Sequence, residues 1–198
     1  MSIRWKRAKD EELVILTLAG ELEAFGELAR RYRPCAQAVA FAVVGNREEA
    51  EDIAEDGLLT ALKALPMLKN PARFASWLCA ITRHRAYKVA RHRSRWKREG
   101  EGVPFGDLMA AWDEERIKDL QRRLGVQQAL SRIPTIYREV LSLRYYGSQS
   151  LKDISRCLGI PVTTVKWRLH EGRRLLREAL FGKEFMHKKM AVKDKEGC

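Results

Sequence analysis

Apolar residues recur at three- and four-residue steps through most of the chain. Ala50, Ile53, Ala54, Leu58, Ala61, Leu62 and Leu65 mark one such stripe, the pattern of an amphipathic helix that buries one face. Phe74, Trp77, Leu78 and Ile81 mark the next. Pro66, Asn70 and Pro71 fall between them and predict a turn, because proline interrupts a helix but fits the opening of another. No stretch alternates with the period of two that a half-buried strand requires. The helical pattern lapses from Glu99, where Gly100, Gly102, Pro104 and Gly106 stand among Glu99, Glu101, Asp107, Asp113, Glu114 and Glu115. That stretch predicts an acidic linker. A second periodic segment runs from about Gln121 to Phe181, and a Lys-rich tail follows from Gly182. The expected fold is all-α. Two small helical domains, 1–98 and 121–181, are joined by a flexible linker over 99–120 and followed by a basic tail over 182–198.

The sharpest local signal lies between Ser150 and Leu169. Ser150 with Asp153 three residues on predicts a capping box, in which each side chain satisfies a backbone N–H left open in the first helical turn. Leu151, Ile154 and Leu158 form the stripe of that helix, and Gly159 can take the left-handed conformation that ends it. Pro161 fits the opening turn of the next helix, which Val165 and Leu169 would pack back on the first. Thr163, Thr164, Lys166, Trp167, Arg168, His170, Arg173 and Arg174 are left for its other faces. This distribution suits a helix-turn-helix whose second helix reads base edges in the major groove while its cations meet phosphate. An ordinary helical hairpin with a solvated basic face is the alternative, and the capped start, glycine turn and basic second helix together favour DNA binding.

Charge extends this picture to the whole chain. Its 198 residues carry a formal net charge of +12, which points to a polyanion, most commonly nucleic acid. Acidic residues crowd Glu48, Glu49, Glu51, Asp52, Glu55 and Asp56; from Gly57 to Arg98 there is no Asp or Glu, and basic residues become dense from Arg83. A membrane surface is the competing polyanion, but no lipidation signal is present and the opening residues lack the apolar stretch of a secretory signal. The most apolar runs, Leu13 to Ala19 and Ala38 to Gly45, are too short to span a bilayer, so a cytoplasmic protein without membrane contact is expected. Cys35, Cys79, Cys157 and Cys198 make no Cys-x-x-Cys pair and no zinc-spaced cluster with histidine. The first three read most simply as small apolar residues inside helices, and Cys198 as an exposed thiol. With no phosphate-binding glycine loop, nucleophile motif or metal-ligand cluster, no enzyme activity, cofactor or metal is expected.

The segment Ala129 to Gly147, Ala-Leu-Ser-Arg-Ile-Pro-Thr-Ile-Tyr-Arg-Glu-Val-Leu-Ser-Leu-Arg-Tyr-Tyr-Gly, runs straight into the helix-turn-helix. It resembles region 4 of sigma-70-family RNA polymerase sigma factors of the small extracytoplasmic-function (ECF) group. Ala24-Phe25-Gly26-Glu27-Leu28-Ala29-Arg30-Arg31-Tyr32, Glu49-Ala50-Glu51-Asp52-Ile53 and Phe74-Ala75-Ser76-Trp77-Leu78-Cys79-Ala80-Ile81 resemble region 2 of the same family, in the right order. The resemblance covers nearly the whole chain apart from the linker and both ends.

The resemblance implies a transcription initiation factor that binds core RNA polymerase, at its β′ clamp helices and β subunit, and directs it to promoter DNA. Glu48, Glu51, Asp52, Glu55 and Asp56 would supply the surface for the clamp helices, with Glu55 standing where the family usually carries Gln. Complementing a helix dipole is the plainer role for these acids, and both roles can hold together. Residues Arg73 to Arg98 resemble the part that reads and melts the minus-ten element. There Arg83, Arg85, Lys88, Arg91, Arg93 and Arg95 would meet the backbone, with His84 on the same helix. Tyr87 and Trp96 are candidates to stack unpaired bases, whereas Phe74 and Trp77, spaced with Leu78 and Ile81, belong to a core. His84 stands where the family usually has Asn, and Lys88 where it often has Asp. Region 4 would contact the minus-thirty-five element through Thr163, Thr164, Lys166, Trp167, Arg168 and Arg173. Trp167 replaces a usual small residue and Glu171 a usual Arg, so base preference is not inherited. An anti-sigma factor is a further partner class that the resemblance implies. Two other readings stand beside this one. A sigma-like decoy would bind polymerase or an anti-sigma factor without reading promoters, and its mark would be loss of the basic face. A stand-alone helix-turn-helix regulator would need a dimerisation element, and no heptad seam is visible.

Overall fold

A computed structural model of the chain describes residues 5–99 and 125–182, the side chains of Lys6 and of residues 94–99 apart. The expected linker and basic tail, Glu99 and Gly182 excepted, lie outside the described residues, as do Cys198 and the side chains of Arg95 and Trp96. The first half consists of α1 (Asp10–Leu18), α2 (Leu22–Val44), α3 (Arg47–Ala64) and α4 (Phe74–Glu99). The second begins with a helical stretch over 125–131, then α5 (Thr135–Leu141), a π-helical turn (Ser142–Tyr146), α6 (Leu151–Leu158) and α7 (Val162–Phe181). Among the described residues there is no strand, as the periodicity predicts.

The helix boundaries follow from local chemistry. Gly45 closes α2 at φ 70°, a left-handed conformation that costs glycine little, and its N–H reaches the Phe41 carbonyl at 2.9 Å. Asn46 then caps α3, its side chain accepting from the Glu49 N–H at 2.9 Å. The expected turn at Pro66–Pro71 is a pair of 3-10 turns, Leu65–Met67 and Pro71–Arg73, the second capped by Asn70. Ala50, Ile53, Ala54, Leu58, Ala61 and Leu65 are buried, as their stripe requires. Helices α3 and α4 cross closely at Gly57, where an added Cβ would stand 2.7 Å from the hydroxyl of buried Thr82. Phe74 is fully buried beside Phe25, Tyr32 and Trp77, which confirms its place in the core and leaves it no base-stacking face.

A buried ion network ties the chain's start to α2. Glu27 accepts from Arg30 at 2.7 and 2.8 Å and from Arg31 at 2.8 Å. Arg31 also donates to Asp10 and to the Ala8 and Trp5 carbonyls, each at 2.9 Å. One guanidinium thus fastens the first turn and α1 to α2.

The two halves dock on one another. Buried residues of α2 and α4 share one continuous core with Val140, Leu143, Ile154, Cys157 and Val165. Along this seam the Phe41 and Tyr146 rings stack at 4.6 Å with 5° between their planes. Gly147 comes so close to α2 that a Cβ there would lie 3.0 Å from the Ala38 Cβ and from the Pro34 carbonyl oxygen. Small residues on both sides, Ala38 and Gly147, let the backbones meet.

Arg30, opposed by burial and aided by Arg31, holds the Glu27 carboxyl at about 2, well below the ordinary 4.5. A depressed folded-state value stabilises the fold above the ordinary value, and the gain disappears as pH falls through the folded one. The wild-type protein is therefore expected to lose stability as pH falls from 4.5 towards 2. Glu27→Gln should flatten that dependence and cost about 3 kcal/mol at neutral pH, because a neutral amide gives up the charge-assisted contacts with Arg30 and Arg31. Denaturant melts of both proteins across that range check this; a wild-type profile as flat as the variant's would refute it.

Candidate nucleic-acid interface

The helix-turn-helix forms as its sequence predicts, with two local differences. The Asp153 N–H donates to the Ser150 hydroxyl oxygen at 3.2 Å. The reciprocal half of the expected box is missing, because the Asp153 carboxylate accepts from the Ser150 hydroxyl instead of from a backbone N–H. Gly159 takes φ 65° and ψ 31°, left-handed as expected. Pro161 caps α7 with φ −57° and lies one residue before the first turn. Ile154, Val165 and Leu169 are buried, while Leu151 and Leu158 are half-buried. Cys157 is buried too, on a face that meets α4.

Helix α7 presents Thr163, Lys166, Trp167, His170 and Arg173 to solvent, with Thr164 and Arg168 half-buried. Trp167 is 57% exposed and leans on the Tyr137 ring at 5.9 Å, so one end of a large aromatic is anchored while the other stays wet. Arg174 does not belong to this face. Glu171 and Glu178 both hold its guanidinium, and these contacts raise its affinity for the proton.

Helix α4 divides its candidates between two faces. His84, Arg85, Lys88 and Arg91 line an open groove of about 930 Å³ along α3 and α4, with Glu49 and Asp56 on its acidic side. Arg85 is engaged there, donating to Asp56 and, at 3.1 Å, to the Thr60 hydroxyl. Arg93 reaches back to Glu49 at 2.8 Å. Successive helical residues turn by about 100°, so Arg83 and Tyr87 point elsewhere. They line a cleft of about 300 Å³ with Thr135, Ile136, Glu139, Leu158 and Arg168. Arg83 pairs with buried Glu139, its second nitrogen 3.4 Å from the other carboxylate oxygen. Residues expected to read two different promoter elements, Arg83 and Tyr87 on one side and Arg168 on the other, thus share one cleft.

The acidic residues of α3 are differently engaged. Glu48 and Asp52 are exposed and, among the described residues, have no ion-pair partner. Glu51 pairs with Arg47 at 2.9 Å, Glu55 with Arg33 and Asp56 with Arg85. The helix dipole accounts only for acids in the first turn, Glu48 and Glu49, and leaves the rest to another purpose.

Sequence spacing did not bring the cysteines together, but the fold does. The sulfurs of Cys35 on α2, Cys79 on α4 and Cys157 on α6 lie within 4.8 Å of one another, all buried. Cys35 and Cys157 are bonded, 122 residues apart in sequence. Each is a buried residue inside a helix, as expected; that the three meet is what the sequence pattern did not contain. No local signal could have found the cluster, because each cysteine occupies an ordinary core position of its own helix.

Fold and surface together define an all-helical, bipartite nucleic-acid-binding protein: a basic four-helix half docked on a helix-turn-helix half. Residues 28–97 match the family model for Sigma-70 region 2, and residues 109–176 that for Sigma-70, region 4. Together these take in more than two thirds of the chain, which belongs to the sigma-70 family and its ECF subfamily: it is a non-enzymatic sigma factor that directs transcription initiation. The ECF RNA polymerase sigma factor SigW of Bacillus subtilis is 29% identical over 170 residues, 81% of this chain and 91% of that protein. The RNA polymerase sigma-H factor of Pseudomonas aeruginosa is 26% identical over 184 residues, 87% of this chain and 94% of that one. The structure of CnrH in complex with the cytosolic domain of CnrY shares the fold, with a TM-score of 0.57 and 22% identity over 88% of this chain and 98% of that one.

If Glu139 withholds Arg83 from phosphate, Glu139→Gln should tighten binding to single-stranded DNA. It should also steepen the logarithmic salt dependence by about 0.7, the increment for one added contact. Glu11→Gln, the same charge change on exposed α1, is the control. Equal salt slopes for the two variants would mean that the pair does not occupy Arg83.

Proposed function

We propose that α3 carries the polymerase contact, that α4 with Arg95 reads the minus-ten element, and that α7 reads the minus-thirty-five element. Glu48, Glu51, Asp52, Glu55 and Asp56 are the residues for the β′ clamp helices. Glu48 and Asp52 come first, because no internal partner has to be displaced from them. His84, Arg85, Lys88 and Arg91 supply a basic wall for the displaced strand, and Arg83 and Tyr87 join it when their cleft opens. Thr163, Thr164, Lys166, Trp167, Arg168 and Arg173 meet the upstream duplex. The observation that carries this reading is an exposed basic recognition helix on one half and a basic α4 on the other. A decoy would have lost those basic faces.

Both elements cannot be read from the docked form. Their names set them about 25 base pairs apart, or about 85 Å at ~3.4 Å per base pair, and here the two halves share a core. Domains 1–98 and 121–181 therefore separate on the polymerase. The place of action is the cytoplasm, where polymerase and promoters are; among the described residues no helix is long and apolar enough to cross a membrane.

Run-off transcription with bacterial core polymerase on randomised promoter fragments tests this. Transcripts that depend on the protein and share two spaced motifs are expected. Lys166→Ala with Arg168→Ala should lose the upstream motif and keep core binding, whereas Glu48→Lys with Asp52→Lys should lose core binding. Stable core binding without transcripts would instead favour the decoy.

A further inference from the structure

The sigma function leaves the three buried cysteines unused. Cys35 and Cys79 belong to the first half and Cys157 to the second, so the cluster is complete only when the halves are docked. Its place matters. It lies in the same seam as the Arg83–Glu139 pair, between the helix proposed for the minus-ten element and the helix-turn-helix. The Cα atoms of Cys35 and Cys157 stand 7.1 Å apart, slightly beyond the usual span of a disulfide, so the backbones must draw a few tenths of an ångström closer to hold the bond, and any wider separation of the halves puts the sulfurs out of reach.

We propose that Cys35 and Cys157 form a thiol latch, closed by a hydroperoxide, that holds the sigma factor in its docked form. This rests on the reading that the docked form cannot engage both promoter elements. The chemistry needs no group that the chain lacks except the oxidant. One thiol takes an oxygen from the hydroperoxide, releasing the alcohol, or water from hydrogen peroxide, and becomes a sulfenic acid. The second thiol displaces that hydroxyl as water and forms the S–S bond, so two thiols lose two electrons and one hydroperoxide is reduced. Attack on the first thiol belongs to the undocked state, because in the docked state both are enclosed. Docking then delivers the second. The closed bond is enclosed in turn, so a low-molecular-weight thiol reverses the reaction by exchange only slowly, when local opening of the seam exposes it, and then frees the halves.

Cys79 is not one of the two latch thiols. Its sulfur stays 3.4 Å from that of Cys35, whereas Cys35 and Cys157 are the pair in bonding contact. Structural zinc is not the better reading of the cluster. Such sites take four ligands, and among the described residues three cysteines converge without a fourth His, Cys, Asp or Glu.

The test uses the full chain in a Cys198→Ser background, so that the remaining cysteine does not exchange. The reduced protein is treated with hydrogen peroxide, the peroxide is removed, and linkages are mapped by mass spectrometry of unreduced peptides. Core polymerase is then added for run-off transcription, with and without dithiothreitol. The Cys35–Cys157 peptide is expected from this protein and from Cys79→Ser, and not from Cys157→Ala or Cys157→Val, two variants that guard against a misfolded one. Transcription should fall at least tenfold on oxidation, recover with dithiothreitol, and stay unchanged by peroxide in the Cys157 variants. A Cys35–Cys79 linkage, no linkage, or stoichiometric zinc in the reduced protein would overturn the latch. So would a Cys35–Cys157 linkage that leaves transcription unchanged. Failure of the reduced protein to transcribe at all would instead strike at the promoter reading, which the peptide map does not depend on.

Discussion

The two halves meet backbone to backbone at a residue with no side chain. Gly147 sets its backbone against Pro34 and Ala38 of α2, and the π-helical turn before it swings Tyr146 onto Phe41 and buries Leu143. An inserted residue in a helix re-aims the chain beyond it, and here it turns α6 towards α4. The rest of the arrangement depends on that contact: the shared core, the Arg83–Glu139 pair, the cleft with Tyr87 and Arg168, and the meeting of the cysteines. A larger side chain at 147 would need several tenths of an ångström that neither the Pro34 carbonyl nor the Leu143 carbonyl can yield cheaply.

Docking sorts the cations by how readily they can be given to DNA. The Arg85–Asp56 pair is half in solvent, and pairs of that kind contribute no more than about 1 kcal/mol, so phosphate competes with it easily. Glu139 is buried, and Arg83 leaves it only if the seam opens and rehydrates the carboxylate. Lys88 and Arg91 on α4, and Lys166 and Arg173 on α7, are exposed already. Under the proposed assignment, the docked form offers nucleic acid only a weak, salt-sensitive attraction, and the full set of contacts would belong to the open one. Arginines also brace the acidic helix, since Arg33 from α2 and Arg85 and Arg93 from α4 each hold one of its carboxylates. That bracing leaves Glu48 and Asp52 outermost, where a partner would meet them first.

Much of this was legible before any coordinates. The stripes of α3 and α4, the turn between them, the Ser150 cap, the left-handed Gly159 and the outward face of α7 all depend on residues within a few positions of one another. Periodicity and capping are local, so a sequence displays them directly. The same holds for the acidic cluster followed by a long acid-free stretch, and for the order of motifs that marks a two-part sigma factor. Phe74 could be assigned to the core for the same reason, because its spacing with Leu78 is a helical one.

What only the tertiary structure decided involves residues far apart in the chain. Arg83 and Glu139 are 56 positions apart, and Cys35 and Cys157 are 122 apart. Neither pairing leaves a trace in local pattern, because arginine on a basic helix and cysteine in an apolar stripe each look ordinary alone. The splitting of the α4 candidates between two faces likewise depended on knowing what packs against each. The sequence by itself determined which helices form and what kinds of surface they carry. The fold decided which of those surfaces face each other, because docking depends on shape and burial summed over distant segments, and one-dimensional spacing does not encode that sum.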